Sequence, residues 1–213
     1  MPPIRSMLAV AALVLALVAT GAFAELKEGR DYEVLAQAQP TEVVGKVEVL
    51  EFFWYGCPHC YALEPVLNKW LKVLPKDVAF LRIPADFGRW AQGARLFYAL
   101  EAIGEEGRVR GELFDAIHLE RLSYTKESDV SEWLVRKGVD KQKFTQAYAS
   151  ATVQSKVQRA KQLTLSYGVD GVPAVVVGGR YRASPLTVGG HEAMLATVDE
   201  LIGKARAELA GQK

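Results

Sequence analysis

The two cysteines of this 213-residue chain, Cys57 and Cys60, are separated only by Pro58 and His59. A disulfide between them would close a very small ring, so it would remove little entropy from the unfolded chain. Structural stabilisation is therefore a poor reason for the pair. The spacing instead favours thiol–disulfide exchange, in which the disulfide is formed and then passed on.

Cys57 is the predicted reactive sulfur, because a helix is expected to begin directly after it, with Pro58 in the first turn. The free N–H groups and the positive end of the helix dipole would then stabilise a thiolate. His59 could add a hydrogen bond or a positive charge. A stabilised thiolate makes the disulfide the more oxidising form, and Cys60, deeper in the helix, is the expected internal partner.

The sequence around the motif predicts a strand, a helix and a second strand. Val47–Tyr55 is rich in β-branched and aromatic residues, as in a buried central strand. Apolar residues recur at helical spacing from Leu63 to Leu74, and Val78–Ile83 offers another short strand. Pro65 is expected to bend the intervening helix.

The second half of the chain predicts helices first and a hairpin afterwards. Amphipathic stretches run through residues 88–167, with a break near Ser150, and residues 174–182 read as two strands joined by Gly178-Gly179. A closing helix is expected from about His191. The order indicates an α/β fold in which a helical insertion separates a βαβ half from a ββα half, with predicted segments 25–86, 87–160 and 161–213.

Residues 1–24 have the pattern of a secretory signal peptide. Arg5 precedes an apolar run from Met7 to Ala19, and Ala22-Phe23-Ala24 resembles a cleavage site. The run is shorter than the roughly 20 residues of a bilayer-spanning helix. Cleavage near Ala24 would leave equal numbers of basic and acidic side chains, so a nucleic-acid partner is not expected. The predicted location is an oxidising compartment such as the bacterial periplasm.

A metal site and a buried carboxylate are further candidates. Zinc would need ligands beyond the cysteine pair, and only His59, His118 and His191 are available besides carboxylates, so no metal is expected. Glu51 shares a strand face with Val49 and Phe53, and buried there it could relay a proton to or from the second cysteine. An exposed position on an edge strand is the alternative.

Four groups of residues together resemble the DsbA family of periplasmic disulfide oxidoreductases in the thioredoxin superfamily. The groups are Leu50-Glu51-Phe52-Phe53, Cys57-Pro58-His59-Cys60-Tyr61, Gly171-Val172-Pro173-Ala174 and Gly179-Arg180-Tyr181. The resemblance runs through nearly all of the chain after residue 24. It implies a thioredoxin fold with an inserted α-helical domain.

The same resemblance implies an activity and further site residues. It implies that the Cys57–Cys60 disulfide, with no other cofactor, is donated to exported proteins that have free thiols, and that a membrane protein similar to DsbB restores it. Val172 and Pro173 would be joined by a cis peptide bond and would offer backbone groups to the substrate. The resemblance also supports the proton-relay role of Glu51.

Some features leave the interpretation open. Trp54, Tyr55 and Gly56 differ from the residues common before the motif in the best-known family members, which leaves the depression of the cysteine pKa open. Arg82 is either a charge partner of the buried carboxylate or a solvated side chain. Leu63, Leu67 and Val172 either line an apolar groove or, for the leucines, belong to the core.

Two other functions compete with disulfide donation. The first is disulfide isomerisation or reduction. Isomerases similar to DsbC carry a dimerisation domain before the catalytic one, whereas only about twenty residues separate Ala24 from the first predicted strand. The second is a redox-quiet secreted chaperone or metal-binding module, for which Cys57 would be dispensable.

Overall fold

The computed structural model describes residues 26–211, which form one five-stranded mixed sheet and eight helices. The predicted signal peptide lies outside these described residues. In chain order the elements are β1 (Glu33–Val34), β2 (Val47–Phe53), α1 (Pro58–Leu71), β3 (Val78–Pro84), α2 (Ala91–Ala102), α3 (Glu106–His118), α4 (Glu127–Arg136), α5 (Lys141–Tyr148), α6 (Ala151–Ser166), β4 (Ala174–Val177), β5 (Tyr181–Ala183), α7 (Pro185–Val188) and α8 (His191–Gly211).

The sheet has the strand order β1-β5-β4-β2-β3. Strands β2 and β3 are parallel and are connected through α1, which is the predicted βαβ unit. Strand β4 runs antiparallel to β2, and β5 returns antiparallel to β4. All seven residues of β2 are buried, because the strand has neighbours on both sides and helices over both faces.

Helices α2 to α6 form the inserted block between β3 and β4, as the sequence predicts. Asp140 and Ser150 cap α5 and α6, since their side chains accept hydrogen bonds from Lys143 N and Val153 N. The predicted break near Ser150 is therefore the cap between two helices. The predicted segment boundary at residues 160 and 161 falls inside α6, which runs unbroken to Ser166 because apolar residues keep helical spacing across it.

Two buried apolar clusters hold the molecule together. One lies between the sheet and the inserted helices and includes Phe52, Phe53 and Phe114. The other lies between the sheet, α1 and α8 and includes Leu63 and Leu67. Both leucines are fully buried, so they are core residues rather than the lining of an open groove. The end of β2 and the start of α1 meet where these clusters join, and this is where the cysteine motif lies.

Two short elements have no counterpart in the sequence-based prediction. Strand β1 is only two residues long and pairs with β5, and α7 is a single turn after Ser184. Neither is long enough to show a period of its own. No helix in the described part of the chain is both long and apolar enough to cross a membrane.

Candidate active site

A tight loop of three residues carries the chain from β2 into the cysteine motif. The carbonyl oxygen of Trp54 accepts a hydrogen bond from Cys57 N at 3.0 Å, and Cys57 O accepts one from Tyr61 N at 3.0 Å. Cys57 is thus the N-cap of α1, with Pro58 at the first helical position. The strand and the helix together fix the sulfur at the positive end of the helix dipole.

The surroundings of Cys57 favour its thiolate. The sulfur accepts a hydrogen bond from Cys60 N at 3.4 Å, and the residue is 6% exposed. These surroundings lower the pKa of Cys57 to about 6, chiefly through the hydrogen bond from the Cys60 side chain, with backbone N–H groups of Cys60 and His59 adding to it. The positive charge of His59 contributes least, so the hydrogen bonds from the Cys60 side chain and from the backbone N–H groups lower the pKa of Cys57 more than the imidazole does.

Cys60 has the opposite character. It is fully buried, and burial raises its pKa well above the ordinary value, with the neighbouring Cys57 sulfur and the charge of Glu51 acting in the same direction. The two cysteines are unbonded, so the structure describes the dithiol form. One sulfur is therefore disposed to carry negative charge while the other keeps its proton.

The loop before β4 lies against the reactive sulfur. Its Val172–Pro173 peptide bond is cis, as the resemblance implied, and Val172 O lies 3.4 Å from Cys57 Sγ. Beside the loop is a cleft of about 140 Å³, which we call the active-site cleft. It is lined by the cis-proline loop and by side chains that include His59, Asp170 and Leu186.

Glu51 lies beneath the motif with its side chain fully buried. It pairs in register with Arg82 of β3, whose Nε donates to Glu51 Oε2 at 3.0 Å. Burial raises the pKa of Glu51, against the charges of Arg110 and Arg82, which lower it. The carboxyl is therefore in the buried position that the sequence favoured, and Arg82 is its charge partner.

Arg110 is an important residue that sequence reasoning missed. It lies on α3, is 4% exposed, and its guanidinium stands 4.2 Å from the centre of the Phe53 ring. Its Nε and Nη2 both donate to Glu64 Oε1, at 2.9 and 2.6 Å, and its Nη1 donates to Glu106 Oε1 at 3.0 Å. Charged residues at positions 106 and 110 on the apolar face of α3 were the available signal.

The sequence singles out His118 only as an available metal ligand, but in the structure this residue contacts the active-site loop. Its Nε2 lies 2.8 Å from Tyr55 O, and its ring stacks on Tyr61, the residue after Cys60. Tyr61 in turn donates to Asp115 at 2.7 Å. The end of α3 thus contacts the chain both before the motif, at Tyr55, and after it, at Tyr61. Among residues 26–211, no group of three His, Cys, Asp or Glu side chains could hold a metal ion.

An aromatic stack covers the unusual residues before the motif. The rings of Trp54 and Trp90 are parallel with centroids 4.2 Å apart, and Tyr124 packs edge-on against Trp54. Gly56 lies under this stack: a Cβ there would be 2.5 Å from Trp54 Cζ2 and closer still to the Tyr124 hydroxyl. The loop therefore accepts only glycine at this position without movement of the aromatic rings.

The βαβ and ββα halves, the inserted helices, and a dithiol at a helix N-terminus beside a cis-proline define the class. It is a thioredoxin-fold thiol:disulfide oxidoreductase with a helical insertion. Comparison with known proteins identifies the family within this class. The family model described as "DSBA-like thioredoxin domain" matches residues 48–201, and the chain belongs to that family.

The relatives agree in sequence and in structure. The thiol:disulfide interchange protein DsbA of Azotobacter vinelandii is 44% identical over 184 residues, which is 86% of each chain. The crystal structure of Pseudomonas aeruginosa DsbA has 42% identity and a TM-score of 0.84, covering 88% of this chain and 97% of that one. NmDsbA1 from N. meningitidis has 34% identity and a TM-score of 0.78, covering 88% and 97%.

Proposed function

We propose that this protein donates its Cys57–Cys60 disulfide to other proteins, acting as an oxidant rather than as an isomerase or a redox-quiet module. The observation that carries the proposal is the contrast between the two sulfurs. The pKa of Cys57 is lowered to about 6, so the dithiol form is stabilised as a thiolate. Stabilising the dithiol makes the disulfide easier to give away.

The exchange runs in two steps that conserve atoms and electrons. A substrate thiolate attacks Cys57 Sγ of the disulfide, a mixed disulfide forms, and Cys60 leaves as a thiolate that takes up a proton. A second substrate thiolate then attacks the substrate sulfur, and Cys57 leaves as a stabilised thiolate. The substrate loses two electrons and the protein gains them. We assign Glu51 as the buried group that exchanges the proton of Cys60.

The substrate chain is expected to lie along the cis-proline loop. Val172 O stands 3.4 Å from Cys57 Sγ, so backbone groups of a bound segment would pass next to the sulfur under attack. The active-site cleft beside it has apolar and charged lining, which suits segments of varied sequence. Val172 and Pro173 are therefore the proposed substrate-binding residues.

The proposed setting follows from the sequence and the family. The signal-like residues before Ala24 support export to the periplasm, where the substrates are newly exported proteins with free thiols. The reduced protein needs an acceptor for two electrons, and we assign a membrane protein similar to DsbB. No cofactor besides the cysteine pair is proposed.

Replacement of the second cysteine tests the mechanism. In Cys60→Ala the mixed disulfide cannot be resolved by residue 60, and a substrate chain with a single thiol cannot resolve it either. After a disulfide is placed on Cys57, this variant is therefore expected to accumulate covalent adducts with unfolded chains that carry one thiol. Cys57→Ala, the matched control, is expected to form none. Adducts are counted on non-reducing gels and by intact mass. Equal adduct formation by both variants would refute the assignment of Cys57.

The direction of transfer needs its own measurement. Equilibration with mixtures of reduced and oxidised glutathione is expected to leave the wild-type protein reduced under conditions in which a structural disulfide stays oxidised. A disulfide that resists glutathione like an ordinary crosslink would contradict the donor role. Catalysis of disulfide rearrangement in a substrate with non-native bonds, without net oxidation, would support the isomerase alternative.

A further inference from the structure

Five charged side chains meet beneath the motif, and we call them the buried charge cluster: Glu51, Glu64, Glu106, Arg82 and Arg110. They come from β2, α1, α3 and β3, so both the sheet half and the inserted helices contribute. Three carboxylates face two guanidinium groups. Full ionisation would thus leave one uncompensated negative charge in a low-dielectric interior, which is strongly unfavourable. The cluster is expected to hold one proton.

The hydrogen bonds of the cluster distinguish its three carboxyl groups. Glu64 Oε1 accepts two bonds from Arg110, and its Oε2 lies 3.5 Å from Asn68 Nδ2. Glu106 Oε1 accepts from Arg110 and, at 3.0 Å, from the hydroxyl of Tyr55. Charge-assisted bonds of this kind favour the ionised form of the acceptor.

Glu51 is held differently. Arg82 donates to its Oε2, and Arg110 is more distant, with Nη2 at 3.7 Å. Within residues 26–211, nothing donates a hydrogen bond to its buried Oε1. An ionised oxygen without a donor in such a place costs more free energy than a neutral carboxyl group with an unpaired oxygen. The bonding pattern therefore assigns the shared proton to Glu51.

We propose that Arg110 is a positioning residue for disulfide exchange: by binding Glu64 and Glu106 as carboxylates, it leaves Glu51 as the single carboxyl of the buried charge cluster that takes up and releases a proton. The proposal rests on the proposed function, in which Glu51 exchanges the proton of Cys60. It assigns to the inserted helical block an electrostatic part in the chemistry.

The guanidinium is suited to this task by its geometry. Its planar fork gives Glu64 two bonds and Glu106 a third, and the ring of Phe53 covers one of its faces. The groups facing Glu51 are Arg82 from β3, Arg110 and Glu106 from α3, and Glu64 and Cys60 from α1. A lysine at position 110 would supply the charge but only a point contact, so it would favour one carboxylate over the other.

Infrared difference spectroscopy of the reduced protein across a pH titration tests the proposal, because a protonated buried carboxyl has a C=O band apart from ionised ones. The wild type is expected to show one such band, and Glu51→Gln is expected to lose it. Glu64→Gln and Glu106→Gln leave two carboxyl groups facing two guanidinium groups, so their Glu51 band is expected to remain but to titrate away at lower pH than in the wild type. Arg110→Met is expected to gain a second band that survives in Arg110→Met combined with Glu51→Gln. Circular dichroism checks that each variant is folded.

A charge-balanced double variant separates electrostatics from structure. Arg110→Met with Glu64→Gln removes one charge of each sign, so the single band that depends on Glu51 is expected to return. If Arg110→Met alone fails to fold, this double variant and Arg110→Lys still give the comparison, with Arg110→Lys expected to show a partial second band. A wild-type band that persists in Glu51→Gln, or an unchanged single band in folded Arg110→Met, overturns the proposal.

The pH profile of the attack of Cys60 on the mixed disulfide, which requires loss of the Cys60 proton, supplies the kinetic counterpart. The wild type is expected to show one ionisation from Glu51, and Arg110→Met a second one that the double variant removes. Oxidation of a reduced substrate by the wild type is measured in parallel. If the wild type does not oxidise substrate, the proposed function is wrong. If the wild type oxidises substrate but the Arg110 variants show the same pH profile and the same infrared band as the wild type, only the proposed role of Arg110 is wrong.

Discussion

The pH dependence of the stability of the reduced protein follows from the state of Cys57. Its pKa is about 6 in the folded protein, against 9.0 for an ordinary cysteine, so between these values the unfolded chain binds more protons than the folded one. Stability therefore rises with pH in this window and is lost as the pH falls through about 6. At ~1.36 kcal/mol per pKa unit, the contribution grows by about 3 kcal/mol from pH 5 to pH 8.5.

Contact with solvent reduces the contribution of the Cys57 thiolate to stability, and comparison with a variant separates this contribution from those of other groups. Because the sulfur is not wholly enclosed, screening lowers the expected gain to about 2–3 kcal/mol. The assay is urea unfolding of the reduced protein at a series of pH values, in parallel with Cys57→Ser, which cannot form a thiolate here. The difference between the two proteins cancels the titration of the other groups, including Cys60.

Two results would refute the reasoning. A difference between wild type and Cys57→Ser that stays flat from pH 5 to pH 8.5 would mean that the folded protein does not stabilise the thiolate. A difference that falls as the pH rises would mean that the sulfur is held as a thiol. The oxidised wild type, which has no thiolate, is expected to follow the Cys57→Ser profile and serves as a second control.

Two further predictions concern the loop before the motif. Gly56→Ala is expected to lower the free energy of unfolding by about 1–3 kcal/mol, because its Cβ would overlap the Trp54 ring. The control is Gly111→Ala in α3, where a Cβ would meet nothing within 4 Å, and it is expected to raise the free energy of unfolding by up to about 1 kcal/mol. Thermal or urea unfolding measures both variants, and equal effects would contradict the packing argument. His118→Phe is expected to lower the free energy of unfolding by about 1–3 kcal/mol, because Tyr55 O would lose its hydrogen-bond partner. His118→Gln keeps an N–H donor and is expected to lower the free energy of unfolding by less. Equal decreases in the two variants would show that packing of the ring matters more than the hydrogen bond.

Much of the fold was predictable because its signals are local. The buried strand before the motif shows as a run of β-branched and aromatic residues, and the Gly178-Gly179 pair marks the hairpin because both residues have positive φ. The Cys57-Pro58-His59-Cys60 motif likewise indicates redox chemistry when it is taken together with the strand before it and with Val172-Pro173. The boundary between the inserted block and the second half of the sheet was less predictable, since residue 160 falls within α6, whose own end at Ser166 is close to the predicted Tyr167.

The electrostatic site was mostly not predictable, because its members are far apart in sequence. Glu64 and Arg110 are 46 residues apart and yet share two hydrogen bonds. A pattern shows that a charged residue lies on an apolar helix face, but it does not show which partner will meet it there. Glu51 was identifiable because its strand leads directly to the motif.

The sequence by itself thus determined the redox pair and the order of the longer strands and helices, and it predicts export, since each of these depends on residue types and short spacings. Only the tertiary structure decided that Cys57 carries the negative charge while Cys60 keeps its proton, and which guanidinium group faces which carboxyl group. The reason is that desolvation and Coulomb interactions depend on distances between groups from β2, α1, β3 and α3, and packing alone sets those distances.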